Sequence, residues 1–169
     1  EIYPKWLTIT AVKGDDGIVT HYVGSHLDIT ERKLTQEKIQ HLAFYDHLTD
    51  LPNRVLLMDR LKQALASCSR SNRKGALLYI DLDNFKNLND TLGHDIGDQL
   101  LIQITQRLES CIRECDTVAR LGGDEFMVML CDLSEQAIEA AAQTESTAEK
   151  ILATLDQNYQ LGTYSHHCT

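Results

Sequence analysis

Apolar and polar positions alternate in blocks of different period along this chain, and each block predicts an element. Residues 5–13 and 18–28 mix Thr, Val, Ile and Tyr with polar residues and flank Gly14-Asp15-Asp16-Gly17. Runs rich in β-branched residues on either side of a Gly/Asp cluster predict two strands joined by a turn. A lone two-stranded hairpin is marginal in water, so the pair is expected to belong to a larger sheet or to pack on another body. Thr30 then stands where an N-cap is needed for a helix through about Phe44, mostly charged, with Leu34, Ile39, Leu42 and Ala43 as its apolar positions. That spacing is not a clean heptad, so a coiled-coil linker and a solvated connector helix both fit it.

The texture changes at Asp46. A polar turn, Asp46-His47-Leu48-Thr49-Asp50-Leu51-Pro52-Asn53-Arg54, leads into a helix capped by Asn53 and running to about Ser69, with Leu56, Leu57, Leu61, Ala64, Leu65 and Cys68 at helical spacing. Gly75 opens the continuous apolar run Ala76-Leu77-Leu78-Tyr79-Ile80, which ends in Asp81-Leu82-Asp83. Such a run predicts a central strand covered on both faces, with carboxylates at the end where open sheets place their sites. Asn84 to Asp90 reads as a short helix and turn, and Gly93 to Asp98 as a loop before a helix that buries Leu100, Leu101, Ile104, Leu108, Cys111 and Ile112 and ends near Arg113. Val118 and Leu121 lead into Gly122-Gly123-Asp124-Glu125, and Phe126, Val128 and Leu130 lead out in period two, which predicts a hairpin with acid at its tip. Ser134 is placed to cap a long Ala- and Glu-rich helix to about Leu155, and Tyr159 to Thr169 begins one more strand. The order predicts an α+β sandwich, a mixed central sheet flanked by helices, preceded by a hairpin and a linker helix.

Composition narrows the chemistry. A formal charge of -9 argues against nucleic acid and anionic membrane as partners, although a polyphosphate can still bind where a cation offsets the field. Five cysteines without a Cys-x-x-Cys pair predict neither a disulfide framework nor a zinc site, and they suggest a reducing, cytoplasmic setting. No run approaches the roughly 20 apolar residues that span a bilayer, so a membrane anchor is expected only outside this segment. The phosphate loops Gly-x-x-x-x-Gly-Lys-Ser/Thr and Gly-x-Gly-x-x-Gly are both absent. The acidic hairpin tip has two readings on its own: solvated carboxylates on a turn, or hard oxygens for Mg²⁺ beside a glycine backbone that an anion can approach closely.

Four motifs bear on that choice: Asp46-x-Leu48-Thr49-x-Leu51-Pro52-Asn53-Arg54, Asp81-Leu82-Asp83-x-Phe85-Lys86-x-x-Asn89-Asp90, Gly93-His94-x-x-Gly97-Asp98 and Arg120-x-Gly122-Gly123-Asp124-Glu125-Phe126. In this order and spacing, over residues 46–169, they resemble the GGDEF family of diguanylate cyclases. The resemblance implies a fold like that of class III nucleotidyl cyclases and a reaction joining two GTP into cyclic di-GMP with release of two pyrophosphates. It implies that Asp81 and Asp124, with the Leu82 carbonyl, hold Mg²⁺ or Mn²⁺, and that Glu125 completes this catalytic environment. Phe85, Lys86, Gly122 and Gly123 would face the phosphates, and Asn89 and Asp98 would read guanine, an edge that adenine leaves mispaired. Taken singly, Asn89 and Asp98 are also ordinary capping residues.

Arg113-Glu114-Cys115-Asp116 matches an Arg-x-x-Asp motif that binds product and inhibits in many members of that family, and an Arg and Asp so spaced also fit a weak surface ion pair. With one GTP per site, catalysis implies a homodimer about a two-fold axis. The end of the first segment, His26-Leu27-Asp28-Ile29-Thr30-Glu31-Arg32-Lys33, resembles the last strands and exit motif of a PAS sensor domain. The implied organisation is a PAS-like remnant at 1–30, a signalling helix at 31–45 and a GGDEF-like domain at 46–169 that continues, in the family, into a further strand and a basic helix. An EAL-type phosphodiesterase domain is expected to follow. The alternative function is a regulatory module that binds GTP or cyclic di-GMP without turnover and controls such a phosphodiesterase.

Overall fold

Residues 3–167 are described by a computed structural model, in which the chain divides into two units, Glu1–Ala43 and Phe44–Thr169. In the first, β1 (Lys5–Lys13) and β2 (Val19–Asp28) pair antiparallel from Lys5 opposite Asp28 to Val12 opposite His21, with a bulge at Val12 and Lys13. Gly17 takes a positive φ of 77°, and the Ile18 N–H donates to the Asp16 carboxylate at 3.1 Å, so the turn uses its own acid to close. Neither strand buries a residue within this unit. Helix α1 (Thr30–Phe44) likewise has no buried residue. Thr30 is its first residue rather than its cap. The Asp28 carboxylate does the capping, accepting from the Thr30 N–H at 2.8 Å and from its hydroxyl at 2.6 Å.

The second unit is a layered sandwich. Helix α2 (Arg54–Ser71) starts where expected, because the Asn53 side chain accepts from the Val55 and Leu56 N–H groups at 2.9 and 3.2 Å. Strand β3 (Lys74–Asp81) is followed by α3 (Phe85–Leu92), α4 (His94–Cys111), the hairpin of β4 (Thr117–Gly122) and β5 (Glu125–Leu133), α5 (Ala137–Leu155), and a short hairpin of β6 (Tyr159–Leu161) and β7 (Tyr164–His166). The last pair replaces the single strand expected over 159–169, because Gly162 at φ 61° reverses the chain; residues 168 and 169 lie outside the described ones. Helix α5 begins three residues after Ser134, whose hydroxyl accepts from the Gln136 N–H and donates to Glu139, an anchor two residues before the cap position.

Sheet order is β3-β5-β4, and among the described residues every pairing in it is antiparallel. The central strand is therefore β5, not β3 as the apolar run suggested. Ala76, Leu78 and Ile80 turn toward the core, whereas Leu77 and Tyr79 on the opposite face are 47% and 56% exposed. The hairpin supplies β5 with β4 on one side and β3 pairs on the other, an order that an unbroken apolar run cannot reveal. On one face of the sheet Val118, Phe126, Val128 and Leu130 pack with Leu100, Leu101, Ile104 and Leu108 of α4 and Ile151 of α5. On the other, Ala119 and Met129 pack with Leu57, Leu61 and Ala64 of α2. Burial of α4 side chains such as Ile104 and Leu108, both 0% exposed, is the main hydrophobic stabilisation, at about 1.5–3 kcal/mol per side chain.

Candidate functional site

The tip of the β4–β5 hairpin is built on two glycines that no other residue could replace without strain. Gly122 and Gly123 have φ of 141° and 56°, and a Cβ on either would meet nothing within 4 Å. The requirement is conformational, and the space in front of the tip is open. The tip is also held from behind. Arg120, 9% exposed, donates to the Gly123 carbonyl from Nε at 3.0 Å and Nη2 at 2.7 Å, and its Nη1 meets the Asp46 carboxylate, 15% exposed, at 2.8 Å. Asp46 also accepts from the Thr49 N–H at 3.0 Å and hydroxyl at 2.7 Å. Burial alone would raise the Asp46 pKa, but the bonds from Thr49 and Arg120 outweigh it and hold the carboxyl below its ordinary value.

Three of the predicted site carboxylates come together here. Asp81, the last residue of β3, stands opposite Glu125, the first of β5, and Asp124 lies in the turn immediately before. Reduced solvation raises the Asp81 pKa, and the negative charges of Asp124, Glu125 and Asp83 raise it further. Among the described residues no Lys, Arg or His forms an ion pair with any of these four. The Asp124 carboxylate accepts no hydrogen bond within the described residues, while Glu125 accepts one, from the Tyr79 hydroxyl two residues before Asp81. That bond, with the local negative charge, pushes the tyrosine pKa up to about 12.

No three His, Cys, Asp or Glu side chains among the described residues converge closely enough to hold a metal ion by themselves. The donor set nevertheless fits a hard cation of one kind. Mg²⁺ is commonly bound through one or two carboxylates, with waters and substrate phosphates completing its shell. Asp81 and Asp124 supply the carboxylates. The Leu82 carbonyl carries only a long bond, at 3.4 Å, from the Phe85 N–H.

Helix α3 follows the Asp81 strand end through Asn84, which takes a left-handed φ of 62°. Phe85 is half-buried on it and Lys86 is exposed. The Asn89 Oδ1 is buried and has no hydrogen-bond partner among the described residues. It rests against buried Gly97 of α4, where an added Cβ would come within 1.9 Å of it. Asp98, the next residue of α4, is exposed. Packing of α3 on α4 thus sets the turn bearing Asp98 beside Asn89.

Arg113 and Asp116 are not part of this group. They form the turn before β4, whose six residues separate them from the glycine tip by about 20 Å at strand rise. The ion pair between them does not form. Asp116 instead accepts from the Arg113 N–H at 3.0 Å and the Cys131 N–H at 2.9 Å, stapling the turn to β5 and leaving the Arg113 side chain exposed. A cleft of about 620 Å³ beside it is lined by Arg60, Arg70, Arg73 and Asp116.

Arg120, Asp46, Gly97 and Tyr79 were not picked out as site residues from sequence. A signal existed for Arg120: a lone cation in the strand Val118-Ala119-Arg120-Leu121 must be buried with a partner or break the pattern. None existed for Tyr79, which sits in an apolar run where an aromatic is unremarked.

Comparison with known proteins agrees with the geometry. The family described as diguanylate cyclase, GGDEF domain, matches residues 43–169. The chain is 46% identical over 129 residues to the bifunctional diguanylate cyclase/cyclic di-GMP phosphodiesterase MucR of Pseudomonas aeruginosa, covering 76% of this chain and 18% of that protein. It resembles the solved GGDEF domain of TpbB from the same species, with a TM-score of 0.69 and 38% identity, over 74% of this chain and 70% of that one. It also resembles the GGDEF domain of DgcB from Caulobacter crescentus, solved in complex with c-di-GMP, with a TM-score of 0.66 and 27% identity, over 75% of this chain and 71% of that one.

Proposed function

The chain belongs to the GGDEF family of diguanylate cyclase domains, and from that premise we propose that the protein it forms part of condenses two GTP into cyclic di-GMP. The observation that carries this reading is the meeting of Asp81, Asp124 and Glu125 at one sheet end, unpaired by any cation among the described residues, beside an open glycine tip. Asp81 and Asp124, with the Leu82 carbonyl, would hold Mg²⁺ or Mn²⁺, which supplies Lewis acidity toward the triphosphate and the attacking hydroxyl. Glu125 completes the negative lining. Phe85, Lys86 and the Gly122-Gly123 backbone receive the phosphates. Asp98 accepts from the guanine N1–H and exocyclic amine, and the Asn89 amide, whose Oδ1 is unpartnered, reads the same edge. In each half-reaction the 3′-oxygen of one nucleotide bonds to the α-phosphorus of the other, the hydroxyl proton departs, and pyrophosphate leaves. Two copies of the domain must face each other to close the ring.

Product inhibition is assigned to Arg113 and Asp116: the stapled turn leaves the guanidinium free for a phosphate beside an arginine-lined cleft. Residues 1–30 are assigned to the end of a PAS-type sensor on the strength of the Asp28-Ile29-Thr30-Glu31 exit sequence, and residues 31–45 to a helix that passes its signal to a domain at 46–169. We place this segment in the cytoplasm, where GTP is. No helix among the described residues is long and apolar enough to cross a membrane.

Incubating the intact protein with GTP and Mg²⁺ over a range of protein concentrations tests the reading. Cyclic di-GMP formation that rises more than linearly with protein concentration is expected, and its absence from well-folded protein overturns catalysis. The bifunctional label of the relative MucR favours one second reading, a GTP- or cyclic di-GMP-binding module that controls an attached EAL-type phosphodiesterase. Phosphodiesterase activity that responds to GTP without cyclic di-GMP synthesis would establish it instead.

A further inference from the structure

Strand β3 presents Leu77, Tyr79 and Asp81 on one face, in register with Met129, Met127 and Glu125 of β5. Leu77 and Tyr79 are exposed, so neither is there to fill the core. Yet Tyr79 reaches diagonally across the two strands, and its hydroxyl donates to Oε1 of Glu125, 46 residues away in sequence. It is the only side-chain hydrogen bond made to Asp81, Asp124 or Glu125 among the described residues. A half-buried Glu beside a hairpin tip has three side-chain torsions to settle, and a donor on a rigid neighbouring strand selects among them. A tyrosine is well suited: its ring has few rotamers, and its hydroxyl can donate to a carboxylate.

We propose that Tyr79 is a positioning residue for the catalytic site, engaging one oxygen of Glu125 so that the other is presented to the cation shared with Asp81 and Asp124. The proposal rests on the reading of those three residues as a metal site. Partners of this kind that orient a ligating carboxylate typically change metal affinity or activity by about 10–100-fold when removed. Tyr79 touches neither nucleotide nor ion in this scheme, and its effect passes entirely through Glu125.

The test uses the intact protein with Tyr79→Phe, which keeps the ring and removes only the hydroxyl. Binding of Mn²⁺ is measured by electron paramagnetic resonance in the presence of a non-hydrolysable GTP analogue, alongside the Mg²⁺ dependence of turnover. Tyr79→Phe should weaken Mn²⁺ binding about tenfold and raise the Mg²⁺ concentration for half-maximal rate by a similar factor. The rate at saturating Mg²⁺ should fall much less, and the melting temperature should stay unchanged. In a Glu125→Gln background the same change should have no further effect on Mn²⁺ binding, because the two act as a unit. Mn²⁺ affinity within twofold of the wild type, or an equal loss in both backgrounds, overturns the positioning role while leaving the metal site standing. If Asp81→Asn leaves Mn²⁺ binding intact, the metal-site reading itself is wrong, and the role of Tyr79 falls with it.

Discussion

Two hairpins in this chain carry nearly the same tip, Gly14-Asp15-Asp16-Gly17 between β1 and β2 and Gly122-Gly123-Asp124-Glu125 between β4 and β5. In the first, Asp16 is spent on its own turn, accepting the Ile18 N–H, and the flanking strands bury nothing. In the second, the strands are buried on both sides, the turn carbonyl is held by Arg120, and the Asp124 carboxylate is left unengaged. The composition of the tip does not separate them. What does is the scaffold behind it: once Arg120 and Asp46 hold the backbone, the acids need not, which is what the proposed cation site with Asp81 requires.

The sharpest way to break this contrast is to remove one acid from each tip. Asp124→Ala in the intact protein should cut cyclic di-GMP synthesis by about 10³-fold, the several kcal/mol a bound cation contributes to charge stabilisation. Asp16→Ala should leave the rate unchanged; a large loss from it would show that both tips serve catalysis. The melting temperature of the second unit should not fall with Asp124→Ala, because the carboxylate it removes only adds repulsion around Asp81.

Removing the scaffold should cost stability instead. Arg120→Ala takes the guanidinium from half-buried Asp46, which keeps its Thr49 bonds, and from the Gly123 carbonyl, a change expected to cost about 2–3 kcal/mol, read by urea denaturation. Arg120→Lys should recover only part of it, since one ammonium cannot meet both the Gly123 carbonyl and Asp46 with the guanidinium's fork. Trp6→Ala on the exposed strand β1, 63% accessible, should change stability by less than about 0.5 kcal/mol. An Arg120→Ala variant as stable as the wild type would make the buried pair incidental.

Much of this scaffold is legible in the amino-acid sequence. The helix starting after Asn53, the Asp81 strand end and the acidic hairpin follow from capping chemistry and hydrophobic period, because those signals are local. The meeting of Asp81 with Asp124 was available only through motif resemblance, since β3 and β5 lie far apart in sequence. The sheet order was not legible. An apolar run such as Ala76–Ile80 looks the same whether one or two strands pair beside it. Contacts between a turn and a distant strand, such as Asp46 with Arg120, or diagonal ones, such as Tyr79 with Glu125, leave no periodic trace at all.

Two glycines extend the comparison to packing. Gly97 lies under Asn89 and Phe85, and Gly97→Ala would drive a methyl to 1.9 Å from the Asn89 oxygen. Overpacking of this kind costs about 1–3 kcal/mol, and here it also displaces the proposed guanine reader, so GTP affinity should fall together with stability. Gly24, in β2, has open space where its Cβ would be, and Gly24→Ala should be neutral or slightly stabilising because alanine loses less backbone entropy on folding. Equal effects at the two positions would mean that the α3–α4 contact yields without loss.

The smallest expected difference is in pH dependence. Asp46 and Asp28 both have pKa values held below the ordinary carboxylate range. For Asp46 burial opposes the shift and bonds from Thr49 and Arg120 prevail; for Asp28 the bond from the Thr30 hydroxyl leads. A depressed folded-state pKa means that the unfolded chain takes up the proton first, so the stabilisation is fully present above the unfolded value of about 3.9 and is lost as pH falls through the lower folded value. The stability gap between wild type and Asp46→Asn should therefore be flat from pH 7 to about 5 and close only below about 4. Asp28→Asn should show the same sign with a smaller gap, since its carboxylate is exposed to solvent and unpaired with any cation. A gap at Asp46 that closes already between pH 7 and 5 would mean that Arg120 and Thr49 do not hold the charged form, and the clamp behind the β4–β5 tip would have to owe its strength to packing alone.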